Sequence, residues 1–175
     1  MPTTRVLPRE LGDTAQVYRL AHKSYRFFEP AIATIAQEPN ATWSIDADGY
    51  TDSTISQLIE LRDWLGAAMT TTSNLDAAAR VPTDTLVTKV MLGVFGSVPP
   101  FDSFFIRGFR TVTGKRVIFG HPTLAAIGEF CKASSVVIDA HRVGTLDVAT
   151  GQPTRRRYTW AKVIDMVFLV EGGGR

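Results

Sequence analysis

The sequence of 175 residues predicts an all-α fold: a single-domain bundle (residues 1–175) of about seven or eight helices, with one short strand or hairpin at most. Three observations support this prediction. Apolar residues recur at helical spacing in most segments, Pro, Gly and Asn clusters separate those segments, and no long alternating run indicates a sheet. A chain of this length buries roughly 70% of its unfolded surface in one core.

The first half of the chain predicts four helical segments. Pro30 is expected to kink or restart the first of them, and residues 42–52 are rich in turn formers and predict a loop. Asp52 or Ser53 is expected to cap the next helix, and a polar break over 70–74 is expected to end it. The helical patterns cover, in order, residues 14–28, 31–36, 53–69 and 75–80.

The second half predicts four more segments. Pro82 suits the first turn of a helix, and the Gly96–Pro100 run predicts a stop. Residues 117–123 are β-branched at their start and allow one brief strand, whereas 144–159 predict a loop or a small hairpin. The helical patterns cover residues 83–96, 101–112, 121–142, as one helix or two, and 160–171, before Gly172, Gly173 and Gly174.

The spacing also predicts which side chains of the later helices point inward. These are Phe104, Phe105 and Phe109 in one helix, and Val163, Ile164, Met166, Val167 and Val170 in the last.

Charge is distributed unevenly behind the net value of +2. Residues 1–100 hold 8 Lys and Arg against 11 Asp and Glu, a net of −3, and residues 101–175 hold 11 against 6, a net of +5. A basic half is typical of a protein that meets phosphate or another acidic surface, and the alternative is ordinary surface charge.

Several classes of protein do not fit the sequence. No apolar run approaches the ~18 residues of a membrane span, and the charged and Pro-rich start does not resemble a signal peptide. The single cysteine, Cys131, predicts a buried thiol and a cytoplasmic location, with no disulfide. No metal or cofactor is expected, because the histidines His22, His121 and His141 lack ligand spacing and the acidic run at Asp46–Asp52 predicts Asx turns.

The segment Val81–Arg110 carries a possible catalytic pattern. A helix with Lys89 is followed by a Gly/Pro turn, by Pro99 and Asp102, and then by Arg107. This resembles the second half of the helix-hairpin-helix motif of base-excision DNA glycosylases, although the hairpin glycines of that family are absent. The resemblance implies that Asp102 serves the chemistry and that Lys89 lies near the position of the nucleophilic lysine.

Physical reasoning leaves two interpretations for each of these residues. Asp102 either caps the next helix, accepting a backbone N–H at the positive end of its dipole, or acts as a general base in an open cleft. Lys89 is either a surface lysine with a buried stem or a partly desolvated amine.

Three short patterns occur along the second half of the chain: Thr88, Lys89 and Gly93, then Val98, Pro99 and Asp102, then Lys162, Asp165 and Met166. This combination resembles a family of uncharacterised bacterial proteins. The resemblance implies a bacterial cytoplasmic domain without an assigned activity.

The basic segment at 155–162 is the best candidate for a contact surface. Arginines can neutralise phosphates, and Tyr158 or Trp160 can stack on an unpaired base. The alternative is a solvated loop with Trp160 packed in the core. The predicted nucleic-acid-binding residues are Lys115, Arg116, Arg155, Arg156, Arg157, Tyr158, Trp160, Lys162 and Arg107.

Three functions therefore stay open. The first is a non-catalytic nucleic-acid-binding protein that uses the basic C-terminal half. The second is a base-excision glycosylase or lyase that uses Asp102 and Lys89. The third is a homo-oligomeric interaction module, predicted because the segment Phe101–Phe109 holds more phenylalanines than one small core requires.

Overall fold

The computed structural model describes residues 28–73, 82–141, 143–147 and 149–173. These residues form seven α-helices and one antiparallel hairpin, which confirms the all-α prediction. The helical patterns predicted over 14–27 and 75–80 lie outside the described residues. The elements are α1 (Glu29–Gln37), α2 (Asp52–Ser73), α3 (Asp84–Val94), α4 (Ser103–Thr113), α5 (His121–Ala133), α6 (Ser135–His141), β1 (Gly144–Leu146), β2 (Pro153–Arg157) and α7 (Trp160–Gly173), with short 3-10 helices at Thr42–Ser44 and Ala47–Gly49.

Helix α2 differs from its prediction at both ends. Thr51, rather than Asp52 or Ser53, caps it: Thr51 Oγ1 accepts the Thr54 N–H at 3.3 Å, and Thr54 Oγ1 accepts the Thr51 N–H at 2.8 Å. This is a reciprocal capping box. The expected break is wrong over residues 70–73, because the helix continues to Ser73, and Asn74 lies outside the described residues.

Helices α3 and α4 are joined by the predicted Gly/Pro stop. Pro82 precedes α3 rather than starting it, since Thr83 is the cap and accepts the Leu86 N–H at 3.3 Å. Gly96 has a φ of 70°, a left-handed conformation that glycine adopts without a Cβ penalty. Asp102 then caps α4, and Gly114, with a φ of 68°, ends it.

Residues 117–123, which allowed one brief strand, form no strand, and the two strands lie later in the chain. Val117 is buried, so its apolar character reflects packing against the core rather than sheet pairing. The hairpin predicted as one option for 144–159 is present: β1 pairs with β2, with Gly144 opposite Arg157 and Leu146 opposite Pro153.

Helices α4 and α7 cross so closely that glycine is required on both. A Cβ on Gly108 would lie 2.6 Å from the Phe168 carbonyl oxygen, and one on Gly172 would overlap the Phe104 carbonyl. Gly172 and Gly173 therefore belong to α7, although the sequence predicted that the helix ended before them.

The phenylalanines of the α4 region fill this core. Phe105 and Phe109 are fully buried, and both rings meet Phe168 edge to face, at centroid distances of 5.6 and 5.2 Å. Phe104 is only partly buried. Because Phe101 is also buried, the Phe-rich segment no longer supports an oligomeric module. Self-association itself stays a prediction.

The inward face of α7 was predicted in part. Val163 and Ile164 are buried, as expected, but Val167 and Val170 are exposed. Phe168 takes the inward position instead, because it packs into the crossing with α4.

Candidate functional site

A groove of ≈ 880 Å³ runs between the end of α3, the hairpin and the first turns of α7. It unites segments that are far apart in the sequence and that carry many of the predicted site residues. Its lining residues are Lys89, Leu92, Gly93, Val94, Phe95, Gly96, Pro100, Asp102, Thr145, Arg156, Arg157, Tyr158, Thr159, Lys162, Asp165 and Leu169.

The floor of the groove at Asp102 is set by hydrogen bonds from α3. Thr88 Oγ1 accepts the Phe101 N–H at 2.9 Å, and Thr85 Oγ1 donates to the Phe101 carbonyl at 2.7 Å. Phe101 is thereby fixed on both sides of its backbone. The next residue, Asp102, is held beside Lys89, which follows Thr88 in α3.

The Asp102 carboxylate serves two neighbours at once. Its Oδ1 accepts the Phe105 N–H at 3.0 Å as the cap of α4, and its Oδ2 lies 3.4 Å from Lys89 Nζ. The capping role inferred as one alternative is therefore present. The side chain is buried but lines the groove, so it also meets the placement that the catalytic alternative requires.

A second buried carboxylate, Asp165 on α7, is also paired with a lysine. Asp165 Oδ2 accepts from Lys162 Nζ at 2.7 Å, one helical turn away. Asp165 was not predicted as a site residue. The available signal was the Lys-x-x-Asp spacing, which places both side chains on one helix face.

Two arginines of β2 differ from these lysines. Arg156 and Arg157 line the groove and are exposed. Within the described ranges, neither side chain has a carboxylate within ion-pairing distance. The four cationic and two acidic lining residues give the groove a net charge of +2.

Tyr158 and Trp160, the two residues predicted to stack on a base, differ in burial. Tyr158 is half-buried and lines the groove, whereas Trp160 is 5% exposed and packs in the core. The structure therefore supports the core-anchor alternative for Trp160 and removes its stacking role, because a buried ring has no face for a base.

The remaining predicted cations lie outside the groove lining. Lys115 pairs with Glu129 at 3.2 Å, and Arg107 lies over the Phe104 ring at 5.6 Å. Arg116 and Arg155 are exposed, and neither lines the groove. The structure thus brings together Lys89, Arg156, Arg157 and Lys162 from three elements.

A carboxylate distant in sequence holds the start of α7 in place. Asp46 accepts the backbone N–H groups of Trp160 at 2.8 Å and of Ala161 at 3.0 Å, and also that of Ala47 at 2.7 Å. Burial raises the pKa of Asp46, although these three hydrogen bonds act to lower it. Asp46, the first residue of the acidic run Asp46–Asp52, thus caps the start of α7.

Two further contacts fix the turn that borders the groove. Tyr50 Oη donates to the Ser97 carbonyl at 2.5 Å, and its complete burial raises the pKa of this phenol well above its ordinary value. A Cβ on Gly96 would lie 2.6 Å from Thr159 Cγ2, so the turn packs directly against the residue before α7. Cys131 is buried as expected, and burial raises the pKa of its thiol to about 12.

Comparison with known proteins identifies no relative: no family model, curated protein or solved structure matches the chain. In the part of the chain that the structure describes, no three His, Cys, Asp or Glu side chains gather as a metal site. No helix there is both long and apolar enough to cross a membrane. The fold and the groove therefore define a helical protein with a basic groove, and its function is inferred from that groove.

Proposed function

We propose that the protein binds nucleic acid, without processing it, through this basic groove. The observation that carries the proposal is the pair Arg156 and Arg157, two exposed residues that line the groove and have no acidic partner among the described residues. Guanidinium groups bind phosphate oxygens through paired hydrogen bonds. Lys89 of α3 and Lys162 of α7 add positive charge to the groove, although each already contacts an aspartate.

Electrostatic binding of this kind depends steeply on salt. Each phosphate of a single strand that a protein cation neutralises releases counterions. It contributes about −0.7 to the slope of log affinity against log salt. Between about 50 and 200 mM salt, two such contacts weaken binding about 7-fold and four weaken it about 50-fold.

Fluorescence anisotropy with a labelled, mixed-sequence oligonucleotide tests the proposal. We expect binding at about 50 mM salt that weakens at about 200 mM within the range given above. An absence of binding at the lower salt, or binding that salt does not change, contradicts the proposed function.

A second candidate function, a base-excision lyase, is favoured by one contact. Lys89 Nζ and Asp102 Oδ2 meet at 3.4 Å inside the groove, which is the pairing that the glycosylase resemblance implies. In such an enzyme the lysine amine attacks the aldehyde of an abasic sugar and expels water, and borohydride reduces the resulting imine to a stable secondary amine.

Borohydride trapping on abasic DNA separates the two functions. We expect no trapped adduct, because the Lys89 ammonium is paired with the Asp102 carboxylate, which also caps α4. An adduct that forms with the native protein and with Lys162→Gln, but not with Lys89→Gln, contradicts the non-catalytic proposal and establishes the lyase.

Cytoplasmic location stays part of the proposal rather than a finding. It is supported by the free, fully buried Cys131 thiol and by the compartment in which a nucleic-acid-binding protein meets its ligand.

A further inference from the structure

We propose that the groove receives an unpaired strand of nucleic acid, with a base against Tyr158 and phosphates on Arg156 and Arg157. This inference rests on the proposed function and adds the class of nucleic acid. It follows from the size of the groove, from its apolar walls and from the position of its two carboxylates.

The size of the groove suits nucleotides rather than a helix of DNA. Its ≈ 880 Å³ lies within the range of about 300–1,000 Å³ that is typical of sites for small organic ligands. A duplex keeps its bases stacked inside and presents phosphates on its outside. Only an unpaired strand can place bases inside a recess of this volume.

The walls of the groove include apolar surface, which phosphate binding does not require. Val94 and Leu169 line the groove and remain 39% and 45% exposed, and the same lining includes the half-buried Tyr158, which also packs against the core. Apolar side chains beside an aromatic ring suit the flat faces of a base, and stacking of this kind tolerates any base. Duplex binding through phosphates alone leaves this apolar surface unused.

The charges divide the groove into two sides. The buried carboxylates of Asp102, at the start of α4, and of Asp165, on α7, repel phosphate from their side of the groove, and each pairs with a lysine, Lys89 of α3 or Lys162 of α7. The arginines of β2 lack such partners in the described part of the chain. The phosphates of a bound strand therefore follow β2, and its bases turn toward Tyr158 and the apolar walls.

The test compares three labelled oligonucleotides of one sequence: single-stranded DNA, single-stranded RNA and duplex DNA. At equal salt we expect at least one single strand to bind about tenfold or more tightly than the duplex. Tyr158→Ala is expected to weaken that single-strand binding about fivefold to a hundredfold, whereas Tyr158→Phe retains it. The salt slope should stay unchanged in both variants, because neither removes a charge.

A measurement on the native protein guards against misfolding of Tyr158→Ala. Photocross-linking to a single strand that carries 4-thiothymidine should label the peptide that contains Tyr158. Equal or tighter binding of the duplex, or cross-links only elsewhere, overturns the single-strand inference while salt-dependent binding still supports the proposed function. Binding to none of the three oligonucleotides overturns both.

Discussion

Gly108→Ala is expected to lower the free energy of unfolding by about 2–3 kcal/mol. The added Cβ would lie 2.6 Å from the Phe168 carbonyl oxygen and 3.0 Å from the Gly172 nitrogen. Both atoms belong to the backbone of α7, so no side-chain rotation relieves the overlap. The helices must separate, and the edge-to-face contacts of Phe105 and Phe109 with Phe168 are disturbed with them.

Gly93→Ala is the matched control, with an effect of opposite sign. Gly93 lies within α3, and a Cβ there meets no atom within 4 Å. Alanine should therefore stabilise the protein by about 0.5–1 kcal/mol through its higher helix propensity. Urea denaturation measures both variants. A Gly108→Ala protein as stable as the native one would show that α4 and α7 do not cross as described.

Asp46→Ala is the second large effect, with an expected loss of about 2–4 kcal/mol. The substitution leaves the N–H groups of Ala47, Trp160 and Ala161 without their acceptor. Two of these groups begin α7, which positions Lys162 and Asp165 in the groove. We therefore expect nucleic-acid binding to weaken as well.

Asp48→Ala is the control for this prediction. Asp48 is exposed and lies in the 3-10 helix that Asp46 caps, so its removal should change stability by less than about 0.5 kcal/mol. Thermal unfolding of the two variants gives the comparison. Equal stabilities would mean that Asp46 does not hold the start of α7.

Local sequence signals predicted those parts of the fold that depend on neighbouring residues. The cap at Asp102 follows from its place after two prolines and before an apolar helix, and the stop at Gly96–Pro100 follows from residue types alone. Errors arose where tertiary contacts decide. The apolar Val117 packs in the core rather than in a strand. Gly172 remains helical because it fits against Phe104.

Several individual residues of the candidate site could be predicted from the sequence, but the groove that they form could not. Lys89 and Asp102 lie close in sequence, and their proximity follows from one turn. Their approach to Arg156 depends on packing between distant elements, as does the capping of α7 by Asp46 across 114 residues. No periodicity encodes such contacts. The same packing separates Trp160 from Tyr158, which the sequence placed together.

The most direct test of the central claim compares salt slopes for single-strand binding after charge removal at neighbouring positions. The double variant Arg156→Gln, Arg157→Gln loses two groove contacts. The slope of log affinity against log salt should therefore become less steep by about 1.4. Arg155→Gln removes the same kind of charge from the same strand but outside the groove lining, so the slope should stay at its native value. If the slope of the double variant is unchanged, or if Arg155→Gln lowers it as much per charge, the groove is not the binding site.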